Sequence, residues 1–463
     1  MKGVHEPMRR DGRLFLPAMV AIGAALSSAP SDLTPVRSLQ SGPMLGYSEP
    51  REVLLWAQTS GPARVKFVYW DEEEPRERYE TGEKATVRSE AFIARVVADG
   101  VRPGRRYGYE VHVDGSRVER PYPMRFQARL PRAAFGGGPT GLSEVRIALG
   151  SCFWAPDPDE PPRARPGPDY GIFSAIAALR PDLMLWLGDN VYLRDMDTSS
   201  RTGLLSRYGH NRALPELQPL LASTHHYAIW DDHDFGPNDS DRAYRDKHLS
   251  REVFTLYWGN PGAGIEGSPG ITTRFDWADV EFFLLDNRWN RTPNMRSTGR
   301  RQVLGEVQMD WLVDALSSSR ATFKVVVSGG QVLNPVRTAE TYANFPEERL
   351  ELLRRIEEER LQGVLFVSGD RHFSELSRME RPGTYPLYDL TVSPLATWVE
   401  RNGDREANTL RVPGTLVAEQ SFGILEVEGP RGERRLTMSV LDGAGVRKWT
   451  RTIQAAELRH TAQ

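Results

Sequence analysis

Cysteine is almost absent from this chain of 463 residues: Cys152 is the only one. One thiol cannot form an intramolecular disulfide, whatever the compartment. A basic excess is missing too. Lys plus Arg is 59 against 62 for Asp plus Glu, a net charge of −3. Nucleic-acid and anionic-membrane binding normally need a basic face, so the bulk composition argues against a nucleic-acid scaffold and leaves room only for a local basic site. Beyond the N-terminus no apolar run is long enough for a transmembrane helix, and no internal repeat is present. What is there, 39% hydrophobic and 26% charged residues, suits a globular enzyme. The length predicts two or three domains.

The first thirty residues differ in kind. Arg9, Arg10 and Arg13 precede the apolar run Leu14–Leu26, and the small residues Ser27-Ser28-Ala29 follow. A positive flank, a short apolar run and a small-residue end predict a signal peptide over residues 1–29. Arg9-Arg10 is a candidate twin-arginine signal, so the expectation is export to the periplasm or beyond.

Residues 41–132 read as an all-β domain. Glu52–Gln58, Ala63–Trp70 and Tyr107–Val113 mostly alternate apolar with polar residues, the period of half-buried strands. A small sandwich of immunoglobulin or fibronectin type is expected. Gly136-Gly137-Gly138-Pro139 reads as a linker. From 143 to 455 the pattern becomes an α/β one. Apolar runs at Val145–Leu149, Leu183–Leu187, Tyr227–Trp230, Val280–Leu285, Phe323–Val327 and Val364–Val367 predict strands buried on both faces. Helical stretches such as Gln308–Leu316 and Glu347–Leu361 lie between them, giving a layered α/β sandwich. Gly423–Glu428 and Arg435–Leu441 predict a hairpin that completes a second sheet.

Four of the apolar runs stop at polar clusters: Ser151-Cys152, Gly188-Asp189-Asn190, Asp231-Asp232-His233-Asp234 and Gly369-Asp370-Arg371-His372. The carboxyl ends of strands in open α/β sheets face the ligand crevice, so these clusters should meet. Crowded carboxylates resist ionisation unless a cation neutralises them. Oxygen ligands suit hard cations, and thiolate or imidazole suits transition metals, so the mixed set points to two unlike ions side by side. Such a pair can stabilise the attacking and leaving oxygens of a phosphoryl displacement. Read alone, Cys152 is either a small core residue or a metal thiolate.

These motifs resemble the metallophosphoesterases, and more narrowly the PhoD-like alkaline phosphatases. Gly150-Ser151-Cys152, Trp230-Asp231-Asp232-His233-Asp234, Leu285-Asp286-Asn287-Arg288 and Leu304-Gly305-x-x-Gln308-x-x-Trp311-Leu312 carry the likeness. It implies a phosphoesterase acting on small mono- or diesters through a metal-bound hydroxide. It implies ferric iron on Cys152 and Tyr208, a metal-sharing role for Asp189, and calcium on Asp231 and Asn238. Asp370 would complete the site. Asn190 is a further ligand or a loop-forming side chain. His372, Arg371, Arg288 and His233 are the catalytic candidates, with His372 as acid or substrate ligand and the arginines as phosphate partners. Fe3+ and Ca2+ are the expected metals, with Zn2+ or Mn2+ as substitutes, and a monomer is expected. The alternatives are a phosphodiesterase or phospholipase for lipid or teichoic substrates, and a non-catalytic surface protein whose metals are structural.

Other signals are discounted. Gly262-x-Gly264-x-x-Gly267 matches a dinucleotide fingerprint by spacing, but it follows Asn260-Pro261 and not a strand. His225 and His226 read as strand-edge residues, and Glu357-Glu358-Glu359 as a solvated helix face.

Overall fold

The computed structural model describes residues 38–131, 144–157, 168–430 and 432–460. The predicted signal peptide and the Gly136–Pro139 linker lie outside these residues. Two large sheets organise the chain. The first has nine strands, in the order Arg447–Gln454, Arg435–Asp442, Ser421–Glu428, Val145–Gly150, Leu183–Leu187, His225–Ile229, Leu39–Ser48, Val53–Thr59 and Ile93–Ala98. The second has six: Thr273–Trp277, Val280–Leu284, Phe323–Ser328, Val364–Ser368, Leu387–Thr391 and Glu375–Met379. At the centre of each sheet the strands run parallel, as crossover connections through helices require.

The apolar runs become central strands because both faces are covered. Leu183–Leu187 is buried at every position, and so are Phe323–Ser328 and Val364–Ser368. One apolar cluster joins the two sheets, with Leu185 and Ile229 from the first and Val326 and Phe366 from the second. The helix Pro346–Glu358 begins with proline at its first turn, where the missing N–H costs nothing, and it buries Leu352, Leu353 and Ile356. Among the described residues no helix is long and apolar enough to cross a membrane.

The expected C-terminal hairpin forms, but it extends the first sheet and does not complete the second. Its strand Ser421–Glu428 pairs antiparallel with Val145–Gly150, Val427 opposite Val145. His225 and His226 are not edge residues either. They open a central strand and are 2% and 0% exposed.

The described residues from 39 to 127 are almost all strand and turn. Val65, Phe67, Tyr107 and Val111 of a smaller sheet face Leu45, Val53, Leu55 and Val96 of the nine-stranded one across a shared core. Val53–Thr59 is buried on both faces, unlike the half-buried strand its alternation predicts. Its outer face is covered because Trp56 packs on Tyr257 and donates its indole N–H to the Leu256 carbonyl at 3.1 Å. The N-terminal strands are stitched to the rest by the Tyr47 N–H to the Gly259 carbonyl at 2.7 Å and by the pair Leu45 and His225.

Candidate metal centre

The strand ends do converge. Val145–Gly150, Leu183–Leu187 and His225–Ile229 are neighbours in one sheet, and Val364–Ser368 delivers Asp370 from the other. Backbone bonds tie the loops together: Phe153 N–H to the Asp189 carbonyl at 2.8 Å and Gly369 N–H to the Gly329 carbonyl at 2.8 Å. Cys152, Asp189, Asp370 and His372 all sit in the left-handed backbone region, with φ of 62°, 51°, 70° and 56°. Such conformations cost non-glycine residues roughly 1–3 kcal/mol each and cluster at functional sites. Gly329 permits the close approach of the second sheet, since a Cβ there would lie 2.6 Å from Asp231 Cγ.

Three overlapping groups of ligand atoms result. Cys152, Asp189 and His372 bring their atoms within 4.8 Å of one another, as do Asp189, Asp232 and His233, and Asp231, Asp232 and Glu340. Asp189 is shared by the first two groups and Asp232 by the last two. Cys152 Sγ lies 3.6 Å from Asp189 Oδ2. The Tyr192 hydroxyl joins the first group, 3.4 Å from Asp189 Oδ2 and 3.1 Å from His372 Nε2.

Burial pushes the Cys152 thiol and the Asp189 and Asp370 carboxyls well above their ordinary pKa values, and neighbouring carboxylates add to the shift. Burial lifts Asp231 to about 6 in spite of Arg288. Asp232 goes the other way. Burial raises it, but His233 and Arg288 outweigh that and hold it at about 2. Without a cation most of this cluster therefore favours its neutral form. Asp231 Oδ2, Asp232 Oδ1, Asp370 Oδ2, His233 Nδ1 and Asn287 Oδ1 are all buried with no hydrogen-bond partner. Buried acceptors in native folds are paired, and a bound cation is the partner that suits several converging ones. The donor set fits metal: sulfur, imidazole and carboxylate at one end suit a transition ion, and carboxylates alone at the other suit a hard one.

The predicted residues are not all brought together. Cys152, Asp189, Asp231, Asp370, His233 and His372 converge. Tyr208 does not. It is 1% exposed with its ring 5.2 Å from Tyr257 and does not line the cleft; burial, then Asp234, raises its phenol pKa far above the usual value, and its hydroxyl has no hydrogen-bond partner. Asn190 turns away from the cluster too. Its amide donates to the Ile229 carbonyl at 2.8 Å and to Asp234 Oδ1 at 3.1 Å, which ties the loop, while its Oδ1 is buried with no hydrogen-bond partner. Asn238 is exposed and lines the cleft beside Asp232, Glu340 and Asp370. Arg288 is no phosphate partner, because it is 0% exposed and its guanidinium is bound to Asp231 and Glu340, with Asp232 3.6 Å away. It serves as the internal counter-charge of those carboxylates. Arg371 lines the cleft: its Nη2 is paired with Glu406, and its Nη1 is buried with no hydrogen-bond partner.

Sequence reasoning passed over Tyr192, Asp232, Glu340 and Asn287 as ligand candidates. Tyr192 carried a signal, three residues past Asp189 on the same strand-end loop. Glu340 carried none, since Thr338-Ala339-Glu340-Thr341 follows no apolar run. An open cleft of about 500 Å³ lies over the cluster, lined by Asp189, His233, Glu340, Asp370, Arg371 and His372 among others. Trp398 stands at its side with its ring 4.3 Å from that of His372.

Parallel-centred sheets carrying a buried, cation-demanding cluster on their carboxyl ends define an α/β phosphoesterase fold. Comparison with known proteins narrows the class. Residues 261–408 match the family model of PhoD-like phosphatases, and residues 36–130 match a domain of unknown function. Alkaline phosphatase D of Bacillus subtilis (strain 168) is 22% identical over 345 residues, 62% of this chain. That match spans 57% of the length of the Bacillus protein. A solved structure of PhoD superposes with a TM-score of 0.70 at 16% identity, covering 89% of this chain and 91% of the other. A purple acid phosphatase, PPD1 from yellow lupin (Lupinus luteus) seeds, superposes with a TM-score of 0.62 at 12% identity, covering 89% of this chain and 74% of the other. Over residues 261–408 the chain is similar to the PhoD-like phosphatases, and its fold is that of the solved PhoD structure.

Proposed function

We propose that the protein is a metal-dependent phosphoesterase that hydrolyses small phosphate monoesters, diesters or both. The observation that carries this reading is the set of unpartnered, buried acceptors on Asp231, Asp232 and Asp370, gathered beneath a cleft that also holds Arg371 and two imidazoles. Cys152, Asp189 and His372, with Tyr192 beside them, would hold ferric iron, and Asp231, Asp232 and Glu340 would hold calcium. When bound, the ions supply Lewis acidity, which polarises phosphoryl oxygens and makes nearby water easier to deprotonate.

The chain's own residues do the rest. Glu406 fixes one arm of Arg371, and the other arm, Nη1, is left to bind a phosphoryl oxygen. His233 lines the cleft, and its imidazole, once protonated, can hand its proton to the departing alkoxide, while His372 beside it is taken up by the metal. Arg288 keeps Asp231 and Asp232 ionised and fixed in place. Trp398, backed by the Tyr192 ring, walls one side of the cleft, which limits water and shapes the room for the leaving group.

The wider organisation belongs to the same proposal: a signal peptide over 1–29 directing export, an N-terminal region 41–132 of immunoglobulin-like type, a catalytic region 143–455, and a monomer. The test is elemental analysis of purified protein together with hydrolysis of p-nitrophenyl phosphate and bis-p-nitrophenyl phosphate, for wild type and Asp370→Asn. Iron and calcium in the wild type, with activity lost in the variant, is the expected result. No phosphoester cleavage by metal-replete protein between pH 6 and 10 would refute it and leave a metal-stabilised binding protein.

A further inference from the structure

The opposite ends of the second sheet's strands carry a different chemistry. At about 3.3 Å per residue, the starts of Phe323–Ser328 and Val364–Ser368 lie roughly 20 Å from the loops that hold the metal cluster. A groove of about 590 Å³ opens there. Arg320, Lys324, Arg360, Arg434 and Arg459 line it, and Glu359 is the only carboxylate among its lining residues. Two of these cations are spoken for. Lys324 Nζ donates to the Leu316 carbonyl at 2.9 Å, and Arg434 pairs with Asp279 at 2.6 Å. The other three come from separate segments: the turn before Phe323, the turn before Val364 and the residue that follows the 3-10 helix Ala455–Leu458. Arg320, Arg360 and Arg459 are exposed, and no side-chain hydrogen bond or ion pair to them occurs among the described residues.

Three unpaired guanidiniums and a single carboxylate around one concavity give it a positive potential that favours an anion. The shape says which kind. A membrane-docking surface needs exposed apolar side chains beside its basic ones. Here the lining residues Leu361, Ala455 and Leu458 are buried, and none of the exposed large hydrophobics of the described residues lines the groove. A polar hollow with three free cationic forks suits a compact, soluble ligand with several anionic groups. We infer that this groove is a second, non-catalytic site for an oligophosphate-class polyanion, held by Arg320, Arg360 and Arg459.

The probe is inorganic tripolyphosphate, titrated calorimetrically into the metal-loaded full-length protein. Wild type is compared with Arg320→Ala/Arg360→Ala/Arg459→Ala and with Asp370→Asn, which disables the cleft and leaves the groove intact. The expected result is saturable binding that survives Asp370→Asn. It should weaken by roughly tenfold for each guanidinium removed, as for a hydrogen bond to a charged group. Hydrolysis of p-nitrophenyl phosphate by the triple variant should equal that of wild type, since the groove is a strand length from the cleft. The inference fails if no saturable binding occurs, if the triple variant binds like wild type, if Asp370→Asn abolishes binding, or if the triple variant loses hydrolysis in parallel.

Discussion

The strand His225–Ile229 begins and ends in buried polar residues, and its two ends differ in one respect. At the start, His225 accepts from the Gln127 N–H and bonds the Gly46 carbonyl at 2.8 Å, and His226 Nδ1 accepts from the Trp186 indole at 2.9 Å. Burial holds both imidazoles down, at about 4 and about 3, so they are neutral and satisfied. At the far end, Asp231 Oδ2, Asp232 Oδ1 and His233 Nδ1 are just as hidden and have no hydrogen-bond partner. Burial alone therefore does not mark a functional residue. Several unmet acceptors converging on one place do, because each such atom costs about 1–3 kcal/mol that a cation bound among them can recover.

The largest effect expected from this contrast is at Asp189, which belongs to two ligand groups. Asp189→Asn keeps the shape and removes the charge. It should lower kcat/KM for p-nitrophenyl phosphate by at least about 10²–10³, as loss of a central electrostatic group does. Metal content by elemental analysis should fall with it. His226→Gln, equally buried at the other end of a neighbouring strand, should leave both unchanged. If the two variants lose activity alike, membership of the converging ligand groups carries no functional information.

A finer version of the comparison sets two buried tyrosines against each other. Tyr192 touches Asp189 and His372, whereas Tyr208 packs on Tyr257. Tyr192→Phe should cost about 10–100-fold in kcat/KM, the scale for groups that orient metal ligands. It should also change the visible charge-transfer spectrum of an iron-loaded protein, leaving only the contribution of the Cys152 thiolate. Tyr208→Phe should change activity less than about threefold, within the ordinary scatter for a substitution that makes no contact with the site. The reverse outcome would return Tyr208 to the metal and move Tyr192 to the wall of the cleft.

Much of this could be read from the chain. The runs Leu183–Leu187 and Val364–Val367 gave their strands because continuous apolar residues have only one stable place in a two-layer fold. Cys152, Asp189, Asp231 and Asp370 were legible for a related reason, since each follows such a run and a strand must end somewhere. Glu340 was not. It reaches the cluster from a long connection whose path is set by tertiary packing, and nothing local records it. Arg288 was misread because an arginine beside acidic motifs looks the same in sequence whether it faces a substrate or a carboxylate; only its zero exposure separates the two. The C-terminal hairpin was misplaced because alternation reports that a strand has two faces and says nothing of which sheet it joins.

The smallest effect concerns the satisfied end. His225 and His226 fold neutral, while in the unfolded chain a histidine titrates near 6.5. A depressed folded-state pKa means that the unfolded chain takes up protons first as pH falls. Stability from these burials is complete above about pH 6.5 and is lost progressively toward the folded values of about 4 and about 3. At pH 5 the cost is about 2 kcal/mol for each imidazole relative to pH 7, from about 1.4 kcal/mol per pH interval travelled below 6.5. Urea unfolding of wild type and His226→Gln at both pH values separates this from acid release of metal, which both proteins share. The variant starts less stable, since glutamine replaces a well-bonded ring, but it should lose about 2 kcal/mol less on acidification. Equal losses would mean that His226 is reached by protons in the folded state, and that the quiet end of the strand is not closed to water after all.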